Sequence, residues 1–207
     1  MASWIDDFEG NKLNRKWVAT RFSVGGQNNG AYTATVSDSK LRLAAIGAGT
    51  ESDYWGVIHT LPVNAVGDII VDAQIRAKLL GGSAFGRFGV ALNQPTVCYA
   101  QYGGEIGQPG AGANYLIGHN GGTAGTRLPG FPSKAFLGPL GIDDIAHIRL
   151  VRKNNYLAIF INNTLIGMNA YPAAVTNVGI VASWYAGTYQ NEGWIDWLRI
   201  TPSSVVL

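Results

Sequence analysis

From residue 146 to residue 201 the chain alternates short apolar runs with tight turns, and that rhythm constrains its fold more than anything else in the sequence. Ala146–Arg152 (AHIRLVR) alternates apolar and polar positions, Lys153-Asn154-Asn155 turns, and Tyr156–Ile161 (YLAIFI) is apolar and rich in β-branched and aromatic residues. Asn162-Asn163 turns again, Thr164–Ala170 runs back, and Tyr171-Pro172 interrupts. Val178–Trp184 (VGIVASW) and Gly193–Thr201 (GWIDWLRIT) supply two further strands. A two-residue side-chain period bounded by Asn-Asn turns specifies antiparallel hairpins, not helices.

The rest of the chain keeps the same grammar. Strands are predicted at Ser3–Phe8, Trp17–Phe22, Tyr32–Ser37, Lys40–Ala45, Tyr54–Thr60, Phe85–Leu92, Val97–Tyr102 and Asn114–Gly118. Asp38-Ser39, Gly47-Ala48-Gly49, Pro62, Gly81-Gly82, Asn93-Gln94-Pro95 and Gly103-Gly104 separate them. Asp68–Leu80 has the length of a helix, yet Ile70, Asp72, Gln74, Arg76 and Lys78 alternate with Ile69, Val71, Ala73, Ile75 and Ala77, so it reads as one long strand. Gly118–Gly141 is rich in Gly and Pro and is expected to be irregular, a length at which loops commonly bind or cap something. Many short strands without a fixed repeat imply a two-sheet sandwich rather than a propeller or solenoid.

Composition excludes several functions. Of 207 residues only 14% are charged and the formal net charge is +2, with basic residues no denser than pairs such as Arg15-Lys16 and Arg152-Lys153. Nucleic acid is therefore not an expected partner, and no apolar run is long enough to insert into a bilayer. The single cysteine, Cys98, cannot form an internal disulfide and sits in an apolar run without a nucleophile motif. Met1-Ala2-Ser3 leads straight into Trp4-Ile5-Asp6-Asp7-Phe8, with no basic and apolar leader, so no signal peptide is visible. This start is compatible with an extracellular protein whose leader has been removed, or with one released on the surface of a virion.

Three segments carry a resemblance. Ile5-Asp6-Asp7-Phe8-Glu9-Gly10, followed by Leu13 and Lys16-Trp17, is similar to the opening of the concanavalin A-like lectin/glucanase superfamily, with Glu9 where a small residue is usual. His147–Leu165 resembles the laminin-G-like R-L-x-R hairpin, with Phe160 in place of Tyr and Asn163 in place of Gly. Gly193–Thr201 resembles the terminal strand that returns to pair with the first. The resemblance implies an all-β, two-sheet antiparallel jelly-roll sandwich spanning 1–207 as a single domain. It implies no one activity, because the fold hosts lectins, hydrolases, lyases and structural modules.

The residues narrow that choice. Glucanases of the superfamily carry an E-x-D-x-x-E pattern, because glycoside hydrolysis needs two carboxylates flanking the scissile bond. None of the 13 acids forms it. Asp6-Asp7 and Asp143-Asp144 are adjacent and would point to opposite faces of a strand. Glu192 and Asp196 share parity, but Asp196 falls where the superfamily has a structural aspartate. Alginate-lyase-like jelly rolls use Q-[IV]-H and Y-x-K-A-G-x-Y-x-Q segments. Val57-Ile58-His59 and Tyr185–Gln190 echo them without the Gln and the Lys, so a lyase stands as a third reading. His59, His119 and His147 lack metal-ligand spacing, and no metal site is assigned. Calcium held by loop carbonyls with Asp7 or Asp196 is compatible with the fold.

The expected function is recognition of a glycan or polysaccharide without catalysis, by aromatic rings under sugar faces and by amides and Arg at hydroxyls. Tyr99 and Gln101 share a strand face, as do Tyr115 and His119, and Trp55 and His59; Arg87 lies on a strand between them. The expected glycan-binding set is Trp55, Arg87, Tyr99, Gln101, Tyr115 and His119, with Trp184 and Tyr189 in a loop closing one end. The competing reading places these aromatics in the sandwich core. A second function class uses the same sandwich as an adhesive decoration of a virus particle, with capsid or tail proteins as partners.

Overall fold

The computed structural model describes residues 4–23, 31–46, 53–61, 67–80, 85–93, 98–105, 114–115, 145–172, 174–184 and 190–202. They form β1 (Trp4–Asp6), β2 (Trp17–Ser23), β3 (Ala31–Ser37), β4 (Lys40–Ile46), β5 (Asp53–Thr60), β6 (Ile69–Leu80), β7 (Phe85–Leu92), β8 (Cys98–Glu105), β9 (Asn114–Tyr115), β10 (Ile145–Lys153), β11 (Tyr156–Ile161), β12 (Thr164–Ala170), β13 (Asn177–Trp184) and β14 (Gln190–Pro202). One sheet has eight strands in the order β12-β11-β10-β6-β14-β4-β3, with β1 on the flank of β14. The other has six, in the order β2-β5-β13-β7-β8-β9. Every pairing within a sheet is antiparallel.

Alternation sets the faces. On β6, Ile69, Val71, Ala73 and Ile75 are at most 2% exposed and belong to the core, while Ile70, Gln74 and Arg76 are partly open to the other side. On β10 Ile148 and Leu150 are buried, and His147 and Arg149 stand on the outer face. The six-stranded sheet answers with Trp17, Val57, Val90, Leu92, Val178 and Ile180, so both sheets feed one apolar cluster.

Three of the turns read from sequence are left-handed, as type I′ hairpins require, whereas Gly103-Gly104, expected as a turn, lies within β8. Asp38 and Ser39 have φ of 53° and 54°, Asn154 and Asn155 51° and 63°, Asn162 and Asn163 49° and 64°. Asn and Asp tolerate this region because their short polar side chains bond locally.

Three expectations need correction. The first strand ends at Asp6, because Phe8 turns with φ of 52° and buries its ring. The last strand begins at Gln190, earlier than the aromatic run suggested. Its register shifts between Ile195 and Trp197, so the extra residue Asp196 breaks the alternation that had put it on one face with Glu192.

Candidate functional site

Six of the eight expected glycan-binding residues lie on strands of one sheet. Trp55 lies on β5, Trp184 on β13, Arg87 on β7, Tyr99 and Gln101 on β8, and Tyr115 on β9, and these strands are consecutive neighbours. In backbone register Gln101 pairs with Gly89 and with Tyr115, Tyr99 with Ala91, and Arg87 with Ser183 and Gly103. Alternation therefore groups Arg87, Tyr99, Gln101 and Tyr115. Trp55 pairs with Ala182, in the alternate register set with Val57 and Ile180, and Trp184 pairs with Gly86 in that same set. The side chains of these six residues, and His119 and Tyr189 entirely, lie outside the described residues.

What is described beside them is a run of small residues. One register row is Ile58, Gly179, Ala91, Tyr99, and the next is Gly56, Val181, Gly89, Gln101, Tyr115. Gly56, Gly89 and Gly179 are buried, and Ala91 is 0% exposed although it alternates with the core residues Val90 and Leu92. In these two rows Gly56, Gly89, Gly179 and Ala91 stand beside the branched residues Ile58 and Val181.

His59, the histidine of the lyase reading, is held elsewhere. It stacks on Trp4 at 4.5 Å between centroids, tilts against Trp17 at 5.8 Å, and places Nδ1 3.3 Å from the Lys16 carbonyl. Burial lowers its pKa from the usual 6.5, reinforced by the charge of Lys16 and opposed by the Lys16 carbonyl and Asp6. Next to it the Asp6 carboxylate accepts from Trp17 Nε1 at 2.8 Å and from the Phe8 amide at 3.0 Å. The opening D-D-F…W pattern is thus a structural latch, with Asp6 buried and Asp7 exposed.

A polar cluster stands on the outer face of the eight-stranded sheet, and sequence reasoning missed it. Two register rows cross β10, β6 and β14: Arg149, Asp72, Arg199, and His147, Gln74, Trp197. Asp72 Oδ1 accepts from Arg149 Nε at 2.6 Å and lies 3.3 Å from His147 Nε2. Gln74 Oε1 accepts from Trp197 Nε1 at 2.8 Å, and the Arg199 guanidinium sits 5.8 Å from the Trp197 ring centre. Asn162, in the β11–β12 turn, accepts from the His147 amide at 2.8 Å and donates its own amide to the His147 carbonyl at 2.8 Å. Together they line an open depression of about 460 Å³. The signal for them was present as three alternating strands, D-x-Q, H-x-R and W-x-R, but nothing in the order of residues says these strands are neighbours.

The whole chain was compared with known proteins. No family model matches, and no curated protein matches. Solved structures do. One comes from work on endo-acting O-glycanases that human gut microbiota express to initiate mucin breakdown; it has a TM-score of 0.67 and 12% identity over 96% of this chain and 98% of that one. A laminarinase from Flavobacterium sp. UMI-01 has 0.64 and 12% over 95% and 98%. The carbohydrate recognition domain of Emp46p, in a potassium-bound form, has 0.55 and 10% over 95% and 94%. The fold is the concanavalin A-like jelly roll. A laminarinase and a carbohydrate recognition domain share it, so the fold leaves the activity of this jelly roll open.

Of the two acids named for calcium, neither is joined by two further acids among the described residues. Asp7 is exposed and accepts from the Glu9 amide at 3.4 Å, while Asp196 is partly buried with Oδ1 unpartnered among the described residues. No three His, Cys, Asp or Glu side chains gather among the described residues.

Proposed function

We propose that this chain is an extracellular carbohydrate-binding domain that performs no chemistry on its ligand. The observation that carries the proposal is the outer register set of the six-stranded sheet, in which Arg87, Tyr99, Gln101 and Tyr115 border the buried small residues Gly56, Gly89, Gly179 and Ala91. In backbone register Arg87, Tyr99, Gln101 and Tyr115 share the face opposite the core residues Val57, Val90 and Ile180, and aromatic, amide and guanidinium groups on one face are the chemistry that recognises sugars. Structures of the same fold that are described as acting on or recognising glycans support the ligand class.

The distribution of acids supports binding over hydrolysis. Among the six strands of that sheet only Asp53 and Glu105 are acidic, the first residue of β5 and the last of β8. Their strands are three ladder spacings apart, about 14 Å. Glycosidase carboxyl pairs stand about 5–9.5 Å apart. The ring contacts of His59 with Trp4 and Trp17 weigh against the lyase reading.

A glycan array run with and without calcium tests the proposal. Binding to at least one neutral polysaccharide class is expected, weakened at least tenfold by Tyr99→Ala or Gln101→Ala, with no new reducing ends and no unsaturated product. A blank array, or release of either product, overturns it.

A further inference from the structure

We propose that the depression on the eight-stranded sheet is a second, separate site, and that it binds the oxyanion of an acidic sugar, a carboxylate or a sulfate ester. Arg149 and Arg199 stand on either side of Asp72 in one register row, and among the described residues no other acid lines the depression. Two guanidiniums therefore face one carboxylate, an excess of one positive charge. Asp72 is itself 91% buried at the side chain and is occupied by Arg149 Nε and His147. Its role is to hold those two donors in place.

The donors that remain face outward. The Arg149 side chain is 45% exposed, and among the described residues only its Nε is bonded. Arg199 is exposed and has no carboxylate partner among the described residues; its guanidinium lies against Trp197, whose ring is pinned by Gln74. An ion pair that served stability alone would need one arginine. Here the second is pre-positioned by a ring, and planar guanidinium forks match carboxylate and sulfate oxygens. Trp197 and His147, 5.7 Å apart, give the rest of the sugar an apolar wall. The site shares no strand with the six-stranded sheet, so a ligand could engage both faces or either one.

The test uses the full chain with two anionic probes, trigalacturonate for a carboxylate and a sulfated galactose oligosaccharide for a sulfate ester, and laminaritriose as the neutral reference. Binding is measured by calorimetry, and the Trp197 indole N–H resonance, assigned by its loss in Trp197→Phe, reports the place. We expect one or both anionic probes to bind and to shift that resonance, and Arg199→Ala to weaken them at least tenfold. Arg149→Gln, which keeps a donor toward Asp72, should weaken them too. Lys12→Ala removes one charge from an exposed loop and should change affinity less than twofold. The proposal falls if neither anionic probe binds, if the Trp197 resonance stays still, if Arg199→Ala binds as wild type, or if Lys12→Ala costs as much as Arg199→Ala. A blank neutral array would defeat the glycan-binding reading of the six-stranded sheet and leave this result untouched.

Discussion

Asp6 ties three pieces of chain together through one carboxylate: its own strand, the turn at Phe8 and the ring of Trp17, eleven residues on. Removing it orphans a buried indole N–H and a buried amide, so Asp6→Ala is expected to cost about 2–3 kcal/mol, read as a lower urea midpoint at unchanged slope. The motif was legible as a string, but its reason was not, because a bond across eleven residues needs the strands in place. His59 beside it makes a prediction in pH. Its proton affinity is depressed on folding, chiefly by burial, so above its usual pKa of 6.5 both states are neutral and stability is unaffected. As pH falls below 6.5 the unfolded chain takes up a proton that the folded one resists, and stability declines until the folded value is reached. His59→Phe should therefore flatten the difference between urea unfolding free energies at pH 7.5 and pH 5.5.

Elements were the most legible level. Asn-Asn pairs and two-residue periods place the strands of the C-terminal meander within a residue of their ends, except for the start of the last, and the long β6 is a strand because its core face repeats every second residue. What alternation could not deliver was order across the sheet. The last strand lies between β6 and β4 and beside β1, and it brings Trp197 and Arg199 next to residues from β6 and β10. The bulge at Asp196 compounds this, since it moves the outer set of β14 from even to odd numbers. The turns can be tested directly. Asn163 has φ of 64° and an exposed side chain. Alanine there should cost about 1 kcal/mol and lower the melting temperature by about 2–4 °C, whereas glycine should be neutral or stabilising.

At the scale of the molecule the last strand decides whether the chain unfolds as one unit. β14 supplies Ile195, Leu198 and Ile200 to the shared core, and it is the partner of β1, β4 and β6. Its removal would uncover three buried side chains, about 1.5–3 kcal/mol each, and leave an edge of each of three strands, β1, β4 and β6, unpaired. That loss is of the order of the whole stability of a domain, about 5–15 kcal/mol. A chain ending at residue 189 is therefore expected to show no cooperative thermal transition, even though it retains thirteen of the fourteen strands. The intact chain should show one calorimetric transition with equal calorimetric and van't Hoff enthalpies, because both sheets lean on the same apolar cluster. Two resolved transitions, or a folded truncated chain, would mean that the sheets hold separate cores and that 1–207 is not one domain. The same coupling bears on function. The two proposed sugar-binding faces lie on opposite sides of that single core, so a core substitution such as Leu150→Ala, costing about 2–5 kcal/mol, should weaken both faces only when the chain unfolds, with no selective loss at either.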